Sequence, residues 1–141
     1  MPEARVVLAS EVAWERHPAL PPGAELAVVA GNERQPGPLV LRVRVPPRHT
    51  VPLHAHPDDR IYTVLEGSCW WSAVDGAGRT SPFRELRAGS VIVLPGGVAH
   101  AQRSEGEGYL LEIVGRGPTG TEYVHPEDDP RRRPAPGPSS P

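Results

Sequence analysis

Residues 51–67 read Val-Pro-Leu-His-Ala-His-Pro-Asp-Asp-Arg-Ile-Tyr-Thr-Val-Leu-Glu-Gly. Val51 to His56 and Ile61 to Leu65 are short runs rich in β-branched and aromatic residues, separated by Pro57-Asp58-Asp59 and closed by Glu66-Gly67. Runs of this kind bounded by turn residues read as strands. Residues i and i+2 of a strand project from the same face, so His54 and His56 aim together. Neutral imidazole is the commonest side-chain metal ligand, and one ion can take both. A second segment runs from Gly89 through Pro95 and Gly97 to His100 and adds a third imidazole.

Working outward, Leu39 to Val45 (LVLRVRV) alternates apolar and charged residues with period 2, the pattern of a strand with one wet face. Pro46 and Pro47 end it. Ser68 to Val74, Phe83 to Leu86, Ser90 to Leu94 and Tyr109 to Val114 bring the total to about eight strands, a number and spacing that suggest a closed sandwich or barrel. Asp75-Gly76-Ala77-Gly78, Pro95-Gly96-Gly97 and Glu105-Gly106-Glu107-Gly108 are the tight connections. The first thirty-odd residues, with the apolar run Leu26 to Ala30, read as an N-terminal arm of one or two strands. From His125 onward there is almost nothing apolar to offset the entropy of ordering, so 125–141 is expected to be a flexible, disordered tail.

Composition agrees. A chain of 141 residues has the common size of one domain. Its 19 Pro and 15 Gly disfavour long helices, and the class is all-β. A net charge of −2 offers no general attraction to nucleic acid or to an anionic membrane, which leaves small molecules as the expected partners. Cys69 is the single cysteine, so no internal disulfide forms, and no apolar stretch is long enough for a secretory or membrane-spanning segment. A cytoplasmic location is the expectation.

The two histidine segments resemble the motifs of the cupin superfamily. The first is similar to G-x5-H-x-H-x3-E-x6-G, and the second follows G-x5-P-x-G-x2-H-x3-N through Gly89, Pro95, Gly97 and His100. Leu20-Pro21-Pro22-Gly23, Pro36-Gly37-Pro38, His56-Pro57-Asp58-Asp59, Val64-Leu65-Glu66-Gly67, Gly117-Pro118-Thr119-Gly120-Thr121 and Glu127-Asp128-Asp129-Pro130 resemble a subgroup of small single-domain bacterial cupins, so that the likeness spans residues 6 to 131. It implies a small jelly-roll β-barrel, about 36–116 within a domain of 1–124, with a metal in its mouth and a homodimeric assembly. Three positions depart from the motifs. Arg48 stands at the first glycine and Ser104 at the final asparagine. Arg60 stands where the family carries a glutamate ligand, and a guanidinium has no lone pair for a metal.

What remains is a three-histidine site, His54, His56 and His100, suited to Fe2+, Ni2+, Cu2+, Mn2+ or Zn2+. Arg60 has two readings: a salt bridge turned outward to Asp58, Asp59 or Glu66, which is favoured, or a clamp for an anionic substrate group inside the cavity. If Arg60 faces the barrel, so does Tyr62. Glu112, flanked by apolar residues in Leu110-Leu111-Glu112-Ile113, is expected to face the cavity as a partner of Arg60, a substitute ligand or a general base; an edge strand with Glu112 in water is the alternative. His17, His49 and His125 neighbour loop prolines or basic residues and read as solvated. Cys69, Trp70 and Trp71 read as packing.

Three function classes follow. The favoured one is a metal-dependent enzyme, dioxygenase-like or another oxidoreductase, acting on a small organic molecule, with a metal-dependent isomerase, lyase or decarboxylase close behind. The second is a metal-independent isomerase, epimerase or lyase that uses a histidine and Tyr62. The third is a non-catalytic small-ligand-binding module. Fold alone does not separate them.

Overall fold

The computed structural model describes residues 2–132. Ten strands form in chain order: β1 (Glu15–Arg16), β2 (Glu25–Ala30), β3 (Gly37–Val45), β4 (Thr50–Ala55), β5 (Arg60–Ala73), β6 (Arg84–Arg87), β7 (Val91–Leu94), β8 (His100–Arg103), β9 (Tyr109–Gly117) and β10 (Glu122–Tyr123). Every pairing is antiparallel. Three short 3-10 turns complete the regular structure, and no helix among the described residues is long and apolar enough to cross a membrane.

β5 organises the rest. Its first half pairs with β7 and β9, and its second half pairs with β6 and β8, so one long strand belongs to both faces of the jelly roll. One face runs β1-β2-β3-β9-β5-β7, and the other β10-β4-β8-β5-β6. The strand passes from one to the other at a register shift between Val64 and Glu66. Gly67 follows, with φ of 78°. A Cβ there would run into the Gly108 carbonyl, so the crossing needs glycine both for its left-handed backbone and for the close approach of β9. The reading of 61–65 and 68–74 as separate strands is corrected accordingly: Glu66-Gly67 is a bend within one strand.

The period-2 pattern of β3 sends Leu39, Leu41, Val43 and Val45 into the core and leaves Arg42 and Arg44 outside. Leu111 and Ile113 of β9, Tyr62 and Val64 of β5, and Cys69 and Trp71 further along β5 fill the space opposite. β1 and β2 form the expected arm at the edge of this sheet. Of the segment expected to be a flexible tail, residues 126–128 and 130–132 form 3-10 turns around the buried Asp129, which pairs with Arg131. Residues 133–141 lie outside the described residues.

β8 lies at the centre of the second sheet, between β4 and β5. Its sequence, His-Ala-Gln-Arg, lacks both apolar alternation and β-branched residues, so no strand was expected there. Position within the sheet makes it one.

Candidate functional site

β4 ends on Ala55, placing His54 inside the barrel and His56 just past the strand, and β8 begins with His100 directly across from His54. All three histidines are buried. Ring centroids lie 4.2 Å apart for His54–His100, 5.0 Å for His54–His56 and 5.3 Å for His56–His100. One ring nitrogen from each comes within 4.8 Å of the other two.

Backbone carbonyls decide which nitrogens these are. His54 Nδ1 bonds Pro52 O at 2.6 Å, His56 Nδ1 bonds Gly120 O at 2.8 Å, and His100 Nδ1 bonds Val98 O at 3.0 Å. A carbonyl only accepts, so each Nδ1 carries the hydrogen and each Nε2 keeps its lone pair. Such partners fix the tautomer and ring orientation of metal-bound histidines. His100 Nε2 is buried and unpaired. The His100 ring is held flat against Trp71, with centroids 4.8 Å apart and planes 15° apart.

Burial holds these imidazoles neutral. It pulls the pKa of His54 down to about 4, with the Arg60 charge adding to the effect. His56 falls to about 3 through burial, then Arg60, then His54. His100 falls to about 2, chiefly through burial and the neighbouring His54. Near pH 7, therefore, three lone pairs meet in one buried place with no proton on them. For a triangle of this size, a central ion bonded at about 2.0–2.1 Å requires each nitrogen to move by less than about 1 Å. The donor set fits a divalent transition metal.

A small cavity of ≈ 30 Å³ adjoins the triad, with room for about one or two waters. His54, His56, Arg60, Tyr62, Gln102 and Thr121 line its polar side, and Leu20, Leu26, Leu41, Val43 and Ile113 its apolar side. Outside it lies an open groove of ≈ 930 Å³ that shares His56 and Thr121 with the cavity and is bordered by Gly97, Gly120, Tyr123 and Arg131. A ligand in the groove thus has the triad's outer edge at its floor.

Arg60 is inside, not outside. Only 5 % exposed, it lies on the same side of β5 as Tyr62 and Val64. Its partner is nevertheless one of the acids expected: Nε donates to Asp58 Oδ2 at 3.2 Å and Oδ1 at 3.3 Å. Nη2 donates to Thr119 Oγ1 at 2.8 Å, and Nη1 lies 3.5 Å from Tyr62 Oη. Burial alone would raise the Asp58 pKa, but the hydroxyl of Thr119, the Arg60 charge and the Arg116 N–H together hold it below the usual carboxylate range. Tyr62 is buried and its pKa is raised, chiefly by that burial. The outward reading of Arg60 is corrected because strand parity and a buried counter-charge fix the guanidinium in the cavity wall.

Glu112 does not face the cavity. Leu111 and Ile113 take the inward positions of β9, and Glu112 pairs across the outer face with Arg42, its β3 neighbour, at 3.1 Å. Exposed apolar residues such as Val114 and Ile61 share that face, so apolar flanks did not mark an interior position. Half-exposed pairs contribute little. Glu112→Gln is expected to change stability by less than about 1 kcal/mol in urea titration and to leave metal content unchanged; loss of bound metal in that variant would return Glu112 to the site.

Four polar groups of the cavity were not foreseen: His17, Glu33, Gln102 and Thr121. His17, read as solvated, pairs with Glu33 at 3.3 Å and lines the cavity with it. The Ala19 N–H donates to His17 Nδ1, which leaves Nε2 to donate to the carboxylate. Gln102 lies two residues beyond His100 on β8, and strand parity from His100 was the available signal.

The motif departures keep their local geometry. Arg48 adopts φ of 60°, the left-handed backbone that the motif glycine would supply. Ser104 Oγ accepts the His49 N–H and donates to Pro46 O, tying the start of β4 to the end of β8. Gly97 N donates to His56 O at 2.8 Å, so the Pro95–Gly97 turn pins the chain at His56.

Comparison with known proteins agrees with the architecture. A family model described as Cupin domain matches residues 41–114. The polyketide cyclase RemF from Streptomyces resistomycificus superposes with a TM-score of 0.71 at 23% identity, covering 92% of this chain and 91% of that one. The DMSP lyase DddQ from Ruegeria pomeroyi gives 0.67 at 21%, covering 84% and 64%, and KdgF from Halomonas sp. gives 0.61 at 19%, covering 80% and 94%. No curated protein matches.

Proposed function

Since the chain belongs to the cupin domain family, we propose that it is a metal-dependent enzyme acting on a small organic molecule at His54, His56 and His100. The observation that carries this reading is the triad: three buried imidazoles with ring nitrogens within 4.8 Å of one another, each with Nδ1 committed to a backbone carbonyl so that Nε2 keeps its lone pair. A purely structural histidine cluster would pair His100 Nε2, which here is buried without a partner.

An ion held by His54, His56 and His100 would supply Lewis-acid polarisation of a substrate oxygen. The chain's own residues do the rest. Arg60 Nη1 and Tyr62 Oη line the cavity and orient an oxygen of the substrate, while Leu41, Val43 and Ile113 exclude water from its apolar side. Asp58 neutralises Arg60, which limits repulsion between the guanidinium and a nearby divalent ion. The solved relatives are described as a polyketide cyclase and a DMSP lyase, both acting on small molecules, which favours the same substrate class here.

Metal analysis of untagged protein tests the reading. About one equivalent of Fe2+, Ni2+, Cu2+, Mn2+ or Zn2+ per chain is expected, and His56→Ala is expected to lose it while keeping the β circular-dichroism spectrum. Iron or copper would support the dioxygenase-like form of the proposal, and zinc alone a redox-neutral one. Protein that takes up no metal, or His56→Ala with unchanged occupancy, defeats it.

A further inference from the structure

We propose that Gln102 is a fourth protein donor of the three-histidine centre, its side-chain oxygen binding the same ion as His54, His56 and His100; this rests on the metal-dependent reading above. Gln102 is 3 % exposed, and its Oε1 is buried with no hydrogen-bond partner. It lines the cavity together with His54 and His56. On β8 it lies two residues from His100, so both side chains project from one face, and its cross-strand neighbour on β5 is Trp71, the residue stacked on His100.

The two orphaned atoms of this strand are of one kind. His100 Nε2 is an acceptor because Nδ1 holds the hydrogen, and a carboxamide oxygen is an acceptor by nature. Two buried lone pairs without a donor call for something electropositive, and one cation satisfies both. The motif position that would supply a carboxylate instead holds Arg60, whose Nε and Nη2 are engaged by Asp58 and Thr119 and whose Nη1 faces Tyr62. Gln102 is the remaining oxygen donor on the polar wall that is nine-tenths buried and unpaired. Three imidazoles and a carboxamide form a neutral donor set, so an ion held there keeps its full positive charge. The ligand class that follows is a small molecule presenting an anionic oxygen, a carboxylate or enolate.

The full chain, stripped with chelator and titrated with Co2+ against a chromophoric competitor, tests this without any knowledge of the substrate. Gln102→Leu is expected to weaken Co2+ affinity by about 10- to 100-fold and to change the visible absorption of the bound ion. Gln102→Glu is expected to tighten binding by at least about 10-fold, a carboxylate adding charge at the same reach. Thermal melts of the metal-free variants separate folding from ligation: Gln102→Leu removes an unsatisfied buried group and is expected to melt no lower than the parent. If Gln102→Leu does melt lower, the Glu variant alone decides. Parent-like affinity and spectrum in both variants, while His56→Ala loses the ion, overturns the Gln102 assignment and leaves the three-histidine reading standing. A parent protein that fails to bind Co2+ overturns both.

Discussion

Acidifying the metal-free protein from pH 7 to pH 4.5 is expected to unfold it. In the folded chain the pKa values of His54, His56 and His100 are depressed to about 4, 3 and 2. In the unfolded chain each returns to the ordinary value of about 6.5. Between those limits the unfolded state binds more protons than the folded state, so stability rises with pH and falls as pH drops below about 6.5. Three such groups at pH 4.5 withdraw roughly 5–8 kcal/mol, comparable with the whole stability of a domain this size. Tryptophan fluorescence and near-ultraviolet circular dichroism follow the transition, Trp71 being stacked on His100. Saturating metal is expected to move the midpoint to lower pH, because an ion that binds only the folded state stabilises it. A metal-free protein that keeps its near-ultraviolet signal at pH 4 would show that the histidines are not held neutral by burial, and the electrostatic account of the site would fall.

The depression of those pKa values and the legibility of the site have the same origin in strand parity. Leu39–Val45 and His54-Ala55-His56 were readable because one face of each strand is buried and period 2 then assigns every side chain. The same rule put His54 and His56 on one face, whereas His100 was joined to them by the motif spacing that carries the cupin resemblance. Parity failed where both faces carry apolar residues. β9 presents Leu111 and Ile113 inward but Leu110 and Val114 outward, so Glu112 had no sequence mark of its side. β8 escaped notice because His-Ala-Gln-Arg becomes a strand only between β4 and β5, and Gln102 escaped with it. His17 depends on a contact across 16 residues, where Glu33 is brought over the cavity by the turn after β2, and local composition does not encode that. For Arg60 the partner acid was legible and the direction was not: a salt bridge formed by a strand's first residue suits either face until the burial of its partner is known.

Arg60→Met is expected to lower stability by about 3–5 kcal/mol, the usual cost of removing one member of a buried ion pair. Asp58 then remains with a side chain 7 % exposed, keeping its bonds from Thr119 Oγ1 and Arg116 N but losing its counter-charge. The double variant Arg60→Met/Asp58→Asn is expected to regain most of the loss, because a neutral amide carries no buried charge to compensate. Urea unfolding of the two proteins, both metal-free, measures the difference; a single-variant cost below about 1 kcal/mol would mean that the pair is effectively solvated. The same substitution acts on the site. Arg60 lowers the pKa of all three histidines, so its loss is expected to raise them and to flatten the acid transition. Arg60→Glu goes further, setting two carboxylates side by side in the cavity wall. Their repulsion is expected to leave the metal-free protein less stable than Arg60→Met, while a divalent ion attracts both charges, so metal affinity is expected to rise by at least about 10-fold. A variant that is weaker without metal and tighter with it would show that Arg60 and the ion occupy one electrostatic site. Unchanged metal affinity in Arg60→Glu would separate them and leave Arg60 as a group that holds Asp58, Thr119 and the loop at 116–119 in place.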